Sequence, residues 1–164
     1  MAGKPITFNV RFPKPYPPYA DQVRADAIVK EEFKLTMPGA LMIVQGGVVT
    51  ETPFAFGTLR RSILPDPPYE RGGSIIGEVK TSSPYAMAVE KGSRPHWAPI
   101  GPLLLWAKRK TGSERAAYVA QRAIAKRGTK GWHMFERGFA KTKDKIGQLF
   151  GQANARIIQK LRKG

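Results

Sequence analysis

Apolar residues along this chain follow two rhythms. Over residues 5–12 the period is two: Ile6, Phe8, Val10 and Phe12 alternate with Thr7, Asn9 and Arg11. That alternation predicts a half-buried strand. Pro13, Pro15, Pro17 and Pro18 follow, around Tyr16 and Tyr19. Proline at this density removes backbone donors and favours an extended polyproline path. The segment is either a connector from strand to helix or an arm laid on a neighbouring subunit, with Tyr16 and Tyr19 as anchors. Residues 1–19 are set apart as strand and arm, and 20–164 as a single domain.

From Asp21 onward the period lengthens to that of a helix. Asp21 is placed to cap it, and Ala25, Ile28, Val29 and Phe33 give it an apolar stripe to about residue 35. Met37-Pro38-Gly39 is expected to end it. Residues 40–51 are ambiguous: Leu41-Met42-Ile43-Val44 suits a buried strand or a helix, and Gly46-Gly47 weakens both. Residues 65–73, rich in proline and glycine, read as an exposed loop; 74–81 read as a strand and 82–84 as a break. Residues 85–90 fit a second strand with Tyr85, Met87 and Val89 on one face, or a single helical turn. Turn chemistry returns over 92–102.

The last third is helical. A short apolar helix over 103–110 ends in a basic run. Thr111 followed by Glu114 fits a capping box for the next helix, with Ala116, Ala120, Ala123 and Ile124 as its buried side and Gly128 as its C-terminal cap. A third helix, from about 132 to 161, carries Phe135, Phe139, Ile146, Phe150, Ala153, Ile157 and Leu161 on one stripe. At about 1.5 Å per residue it is roughly 45 Å long. Its stripe therefore either wraps the chain's own sheet or packs partly on another subunit. Gly147 and Gly151, four apart, either permit a close helix approach or are simply a weak point in a soluble helix. The expected class is α+β: a small, mostly antiparallel sheet packed with helices, and a long C-terminal amphipathic helix.

Composition narrows the function classes. With 164 residues, 41% of them hydrophobic, and a mean hydropathy of -0.35, one soluble domain with a core is expected. No apolar run reaches the roughly 18 residues of a membrane span, and no signal-peptide core follows the N-terminus. A cytoplasmic protein with no membrane partner is expected. There is no cysteine, so disulfides and thiolate chemistry are excluded.

The net charge of +16 is lopsided. Residues 1–82 hold ten basic and eight acidic residues, a net of +2; residues 83–164 hold eighteen and four, a net of +14. Such a field favours nucleic acid or an acidic protein face. Lys108, Arg109, Lys110, Arg127 and Lys130 are the first candidates for those contacts. No zinc-finger spacing, RNP aromatic motif or KH loop accompanies them.

Catalytic parts are sparse. His96 and His133 lie far apart in sequence without carboxylates clustered near either, and metal sites need three or more converging ligands. Each histidine reads as a partly buried polar aromatic. Ser62 follows Arg60-Arg61 and has no candidate base. Glu90 reads as a salt-bridging or turn-stabilising acid. Gly46-Gly47 and Gly72-Gly73 lack the surroundings of a phosphate-binding loop. No catalytic, cofactor or metal site is expected, and no enzymatic activity.

Two segments look like structural punctuation. In Thr52-Pro53 … Gly57-x-Leu59-Arg60-x-Ser62-Ile63, Pro53 blocks helix continuation and Gly57 can take a positive φ. Leu59 and Ile63 would anchor the next turn inward while Arg60 and Arg61 face out. Downstream stands Tyr85-Ala86-Met87-Ala88-Val89-Glu90-Lys91-Gly92. An alanine-rich stretch from Ala116 to Lys126, then Gly128-Thr129-Lys130-Gly131 and the long helix, complete the series. In this order, over about residues 20–160, the chain resembles the neck and tail-completion proteins of tailed bacteriophages, which help join a filled head to a tail. That family tends to show Thr-Pro-Val-Asp-Thr-Gly-Arg-Leu-Arg-x-Ser-Ile at the first segment. Here Ala55 and Phe56 replace Asp-Thr and Thr58 replaces the Arg, so Phe54 and Phe56 would hold the turn by packing.

The resemblance implies a helix over 40–51. It implies a structural turn and interface at Thr52, Pro53, Gly57, Leu59, Arg60, Ser62, Tyr85, Glu90 and Gly92. It also implies a ring homo-oligomer between head-closure (connector) proteins and the tail terminator, with transient contact to genomic DNA. Such a protein assembles in the host cytoplasm and ends in the virion. The alternative expectation is a sequence-nonspecific nucleic-acid-binding protein.

Overall fold

The main apolar stripe lies on a helix that runs through a proline. The structure, a computed structural model, describes the backbone of residues 6–10 and all of residues 22–53 and 57–162. Tyr16, Tyr19, Asp21, Phe54 and Phe56, with the roles expected of them, lie outside the described residues. Helix α1 spans Gln22–Glu51 with Pro38 inside it, so the expected stop at Met37-Pro38-Gly39 is overturned. A proline in a helix interior costs about 3 kcal/mol or more. Yet Pro38 and Gly39 are exposed, while Phe33, Met37, Leu41, Val44 and Val48 are all buried. Each such side chain contributes about 1.5–3 kcal/mol on burial, and the stripe outweighs the ring. Residues 40–51 are helical, the reading taken from the resemblance.

Helix α6, Met134–Arg162, lies against α1. The two meet at glycines. A Cβ on Gly138 would stand 2.5 Å from Val48 Cα, and one on Gly47 would stand 2.6 Å from the Gly138 carbonyl oxygen. A Cβ on Gly147 or Gly151 would meet nothing beyond its own helix backbone within 4 Å, so neither makes a close helix approach. Phe135, Ile146, Ala153 and Ile157 are buried, and the Phe150 ring sits 5.6 Å from that of Phe33. The stripe of α6 thus packs on α1 of its own chain. The buried Glu32 carboxylate fastens the pair, accepting from Arg156 Nε at 2.8 Å and from Lys160 Nζ at 2.9 Å.

The other side of α1 covers a sheet centred on β4, Ser74–Thr81. Gly77 lets the helix in, since a Cβ there would lie 2.8 Å from Met37 Sδ. Strand β1, Ile6–Val10, runs antiparallel along one edge of β4. Strands β2, Ile63–Pro65, and β3, Tyr69–Arg71, share the opposite edge, because Ile76 faces both Asn9 and Tyr69 while Val79 faces both Ile6 and Pro65. The strand grouped with the arm on sequence grounds therefore belongs to the sheet of the domain. The loop expected over 65–73 is also corrected: β3 occupies part of it. Gly72 and Gly73, at φ 59° and 73°, form the two-residue turn into β4, a backbone that side chains disfavour.

A second region follows. Helix α2, Thr58–Arg61, precedes the sheet hairpin, and α3, Ala86–Lys91, succeeds it. Strands β5, Gly92–Ser93, and β6, Thr129–Lys130, then pair as a short ribbon. Between them α4, Ile100–Thr111, and α5, Arg115–Arg127, pack on each other as a helical hairpin. The continuous apolar core contains no residue of either.

Three local expectations change in this hairpin. α4 begins at Ile100, with Pro102 in the first turn, where a missing N–H is tolerated. Thr111 does not cap α5; it ends α4, its hydroxyl donating to the Ala107 carbonyl at 2.8 Å. The buried face of α5 holds Ala117 and Gln121, with Ala123 exposed. Gln121 turns inward because its amide donates to the Ala98 carbonyl at 2.7 Å. Gly128 does cap α5, its N–H reaching the Ile124 carbonyl at 2.8 Å with φ 71°. The whole is α+β, with small antiparallel sheets and a long C-terminal helix.

Candidate functional site

The residues of the two punctuating segments meet at one corner of the molecule. Thr52, just beyond α1, is buried, and its hydroxyl donates to the Val48 carbonyl at 2.7 Å. The Thr52 carbonyl accepts Arg60 Nε at 2.9 Å and Nη2 at 2.7 Å. Arg60 therefore does not face outward as expected. Its fork caps the negative end of α1, and the planar guanidinium suits that two-pronged role. Arg61 is exposed. Gly57, at φ 75°, turns the chain into α2. Leu59 and Ile63 are both buried, as expected. Ser62 is structural: its hydroxyl donates to the Leu59 carbonyl at 2.8 Å and shares a 2.7 Å hydrogen bond with Thr81 Oγ1. Tyr85 Oη and Thr58 Oγ1 lie 2.6 Å apart and join the first segment to the second. Of the alternatives for 85–90, the helical one holds, as α3.

Glu90 acts on a distant element. Its Oε2 accepts the Phe135 backbone N–H at 3.0 Å, and its own carbonyl accepts the His133 N–H at 3.0 Å. A carboxylate at the start of α6 satisfies a donor that the helix leaves open and faces the positive end of its dipole. The expected roles, salt bridge or turn acid, give way to a helix cap. Trp132 ties the same region to α1, its indole N–H donating to the Glu51 carbonyl at 2.7 Å. Lys141 also pairs with Glu51.

The ribbon explains the glycines around it. Gly92, at φ 82°, has no room for a Cβ, which would fall 2.1 Å from the Thr129 carbonyl oxygen. A Cβ on Gly128 would fall 1.9 Å from the Ser93 carbonyl oxygen, and one on Gly131 would fall 2.6 Å from that of Glu90. The Val-Glu-x-Gly and Gly-Thr-x-Gly segments are the two halves of one contact. Both histidines are exposed rather than partly buried. His96 Nδ1 lies 2.9 Å from the Arg94 carbonyl, and His133 Nδ1 lies 3.3 Å from Glu136 Oε2. Among the described residues no three His, Asp or Glu side chains form a metal-holding group. No helix among them is long and apolar enough to cross a membrane.

The basic candidates occupy the other region. Lys108, Arg109 and Lys110 end α4 near the hairpin tip, whereas Arg127 and Lys130 lie at the ribbon. All five are exposed. The 13 residues of α5 put about 18 Å between the groups at ~1.5 Å per residue. Arg115, Val119, Arg122 and Lys126 bridge that gap along one face of α5. Trp97, Tyr118 and Trp106 are exposed among these cations, at 68%, 51% and 37%. The sequence reading missed the aromatics. The signal was present in α5, whose inner face of alanines and one glutamine is too small to enclose Trp106 or Tyr118.

Comparison of the chain with protein-family models, with curated proteins and with solved structures finds no match.

Proposed function

We propose that the chain is a structural subunit of the neck of a tailed bacteriophage, a tail-completion protein that works by presenting a surface. One observation carries the reading. The segments that resemble that family are mutually dependent in space: Thr58 meets Tyr85, Glu90 caps α6, and Gly92 and Gly128 close the ribbon. Motifs held together in this way define a scaffold with fixed edges. Among their described residues no side chain is arranged as a nucleophile with its base. On this reading the subunit is made in the host cytoplasm and enters the virion as a ring, or on one, between head-closure proteins and tail terminator. Ring contacts are heterologous, so one edge of each copy meets a different edge of the next.

The test is electron microscopy of particles assembled without the chain. Filled tailless heads beside free tails are expected; normally joined particles would overturn the proposal. Tyr16→Ala with Tyr19→Ala examines the arm. The doubly substituted chain should keep its helical circular dichroism and lose assembly onto tails.

A further inference from the structure

We propose that the α4–α5 hairpin and its ribbon form a sequence-nonspecific DNA-binding surface that grips the phosphate backbone. This stands on the charge of the hairpin and is independent of the neck reading. Residues 91–131 contain ten Lys and Arg and a single carboxylate, Glu114, and all ten cations are exposed. Arg109 has an interaction within the chain. None of the other nine pairs with a carboxylate among the described residues. On α5, Arg115, Arg122 and Lys126 follow one face at separations of about 10 and 6 Å. A duplex carries a charge about every 1.7 Å along its axis, so such a row finds phosphates in any register.

An acidic protein face fits less well. Protein interfaces place apolar, charge-depleted residues at their centre and charges at the rim. On α5 charge interrupts the apolar groups, since Tyr118 and Val119 lie between Arg115 and Arg122, whereas residues 95–107 hold no Lys, Arg, Asp or Glu and expose Trp97, Leu105 and Trp106 beside that row. Nucleic-acid interfaces are polar, wet and strongly positive throughout.

The test uses the full-length purified chain and a labelled DNA duplex of arbitrary sequence, followed by fluorescence anisotropy. Affinity should fall about a hundredfold between 50 and 200 mM salt, as four phosphate contacts require. The hairpin variant Lys108→Gln/Lys110→Gln/Arg122→Gln/Lys126→Gln should lose at least about tenfold, with the salt slope lowered by about 1 per contact removed. A variant with the same charge change on the rest of the chain, Arg61→Gln/Arg71→Gln/Lys143→Gln/Lys145→Gln, should stay within about twofold. Circular dichroism establishes that both are folded. Equal losses in the two variants would assign binding to net charge and overturn the proposal. So would displacement of the DNA by polyglutamate at equal charge concentration, which would point to an acidic protein partner. Failure here leaves particle joining untouched, so the two proposals fall separately.

Discussion

The body of the molecule and its helical hairpin use charge in opposite ways. In the body, six cations meet carboxylates: Lys30 and Lys34 meet Glu70, Lys80 meets Asp66 and Glu78, Lys141 meets Glu51, and Arg156 and Lys160 meet Glu32. Residues 91–131, the hairpin with its flanking segments, hold ten cations and one carboxylate. Packing divides the same way. The body buries Met37, Leu41, Ile63, Ile75 and Met134, each below 2% exposure, while α4 and α5 bury only Ala107, Ala117 and Gln121. Of the +16 charge, +9 lies within residues 91–131, where little packing is at stake. The body supplies stability, and the hairpin supplies surface.

The harshest way to break that comparison is to attack the body at its narrowest point. Gly138→Leu places a branched side chain where even a Cβ meets Val48 Cα at 2.5 Å. The helices must part, and a loss of about 3 kcal/mol or more is expected from urea unfolding. The matching attack on the hairpin is Gly128→Ala. It sets a Cβ 1.9 Å from the Ser93 carbonyl oxygen at φ 71°, and strain of this kind costs about 1–3 kcal/mol. Because the core has no residue from α4 or α5, that cost should appear as local opening. Hydrogen exchange should quicken at Ile124 and Gly128 and stay unchanged along α1. An equal shift of the global unfolding midpoint would show that hairpin and body fold as one unit.

What was legible in the sequence follows the same division. Period-two alternation located β1, and helical spacing located α6, which buries one face against α1. Pro38 misled, since its local cost was visible and the stripe that outweighs it depends on partners distant in the chain. Arg60 and Glu90 were singled out for their motif positions but given the wrong roles. Each caps a helix from outside it, Glu90 at a separation of 45 residues, and no spacing rule reaches that far. Gly46-Gly47 looked like a weakness in a helix, and Gly47 proved to be the contact with α6. The exposure of Trp97 was illegible because tryptophan is ordinarily largely buried, whereas that of Trp106 was announced by the small inner face of α5.

Acid should separate the regions more gently. Hydrogen bonds from Lys160 and Arg156 hold the Glu32 carboxyl below its ordinary value of 4.5. Lys141 lowers Glu51, Lys30 lowers Glu70 and Lys80 lowers Glu78. A carboxylate whose folded value is lowered adds stability above its ordinary value, and that stability disappears as pH falls through the folded value. All four lie in the body. Below about pH 4.5 the body should therefore weaken, the α1–α6 contact included, while residues 91–131 hold a single carboxylate. Glu32→Gln should cost about 1–2 kcal/mol near neutrality and flatten the acid limb of a stability-against-pH curve. An unchanged limb would show that the buried pair does not link the helices.

The smallest effect gives the sharpest comparison, because one substitution can be made in both regions. Gly147 in α6 and Gly101 in α4 are exposed, sit in helices, and have nothing within 4 Å of an added Cβ. Alanine relieves the entropic cost of glycine at either site, by about 0.5–1 kcal/mol in a helix interior and less in a first turn. In α6 the gain belongs to the cooperative core, so Gly147→Ala should raise the urea midpoint of the whole protein. In α4 the gain belongs to the hairpin alone. Gly101→Ala should slow hydrogen exchange in α4 and α5 and leave the global midpoint where it was. If both substitutions moved the midpoint alike, the separation of a stabilising body from a surface-bearing hairpin would fail, since local helix stability in α4 would then count toward the fold as a whole.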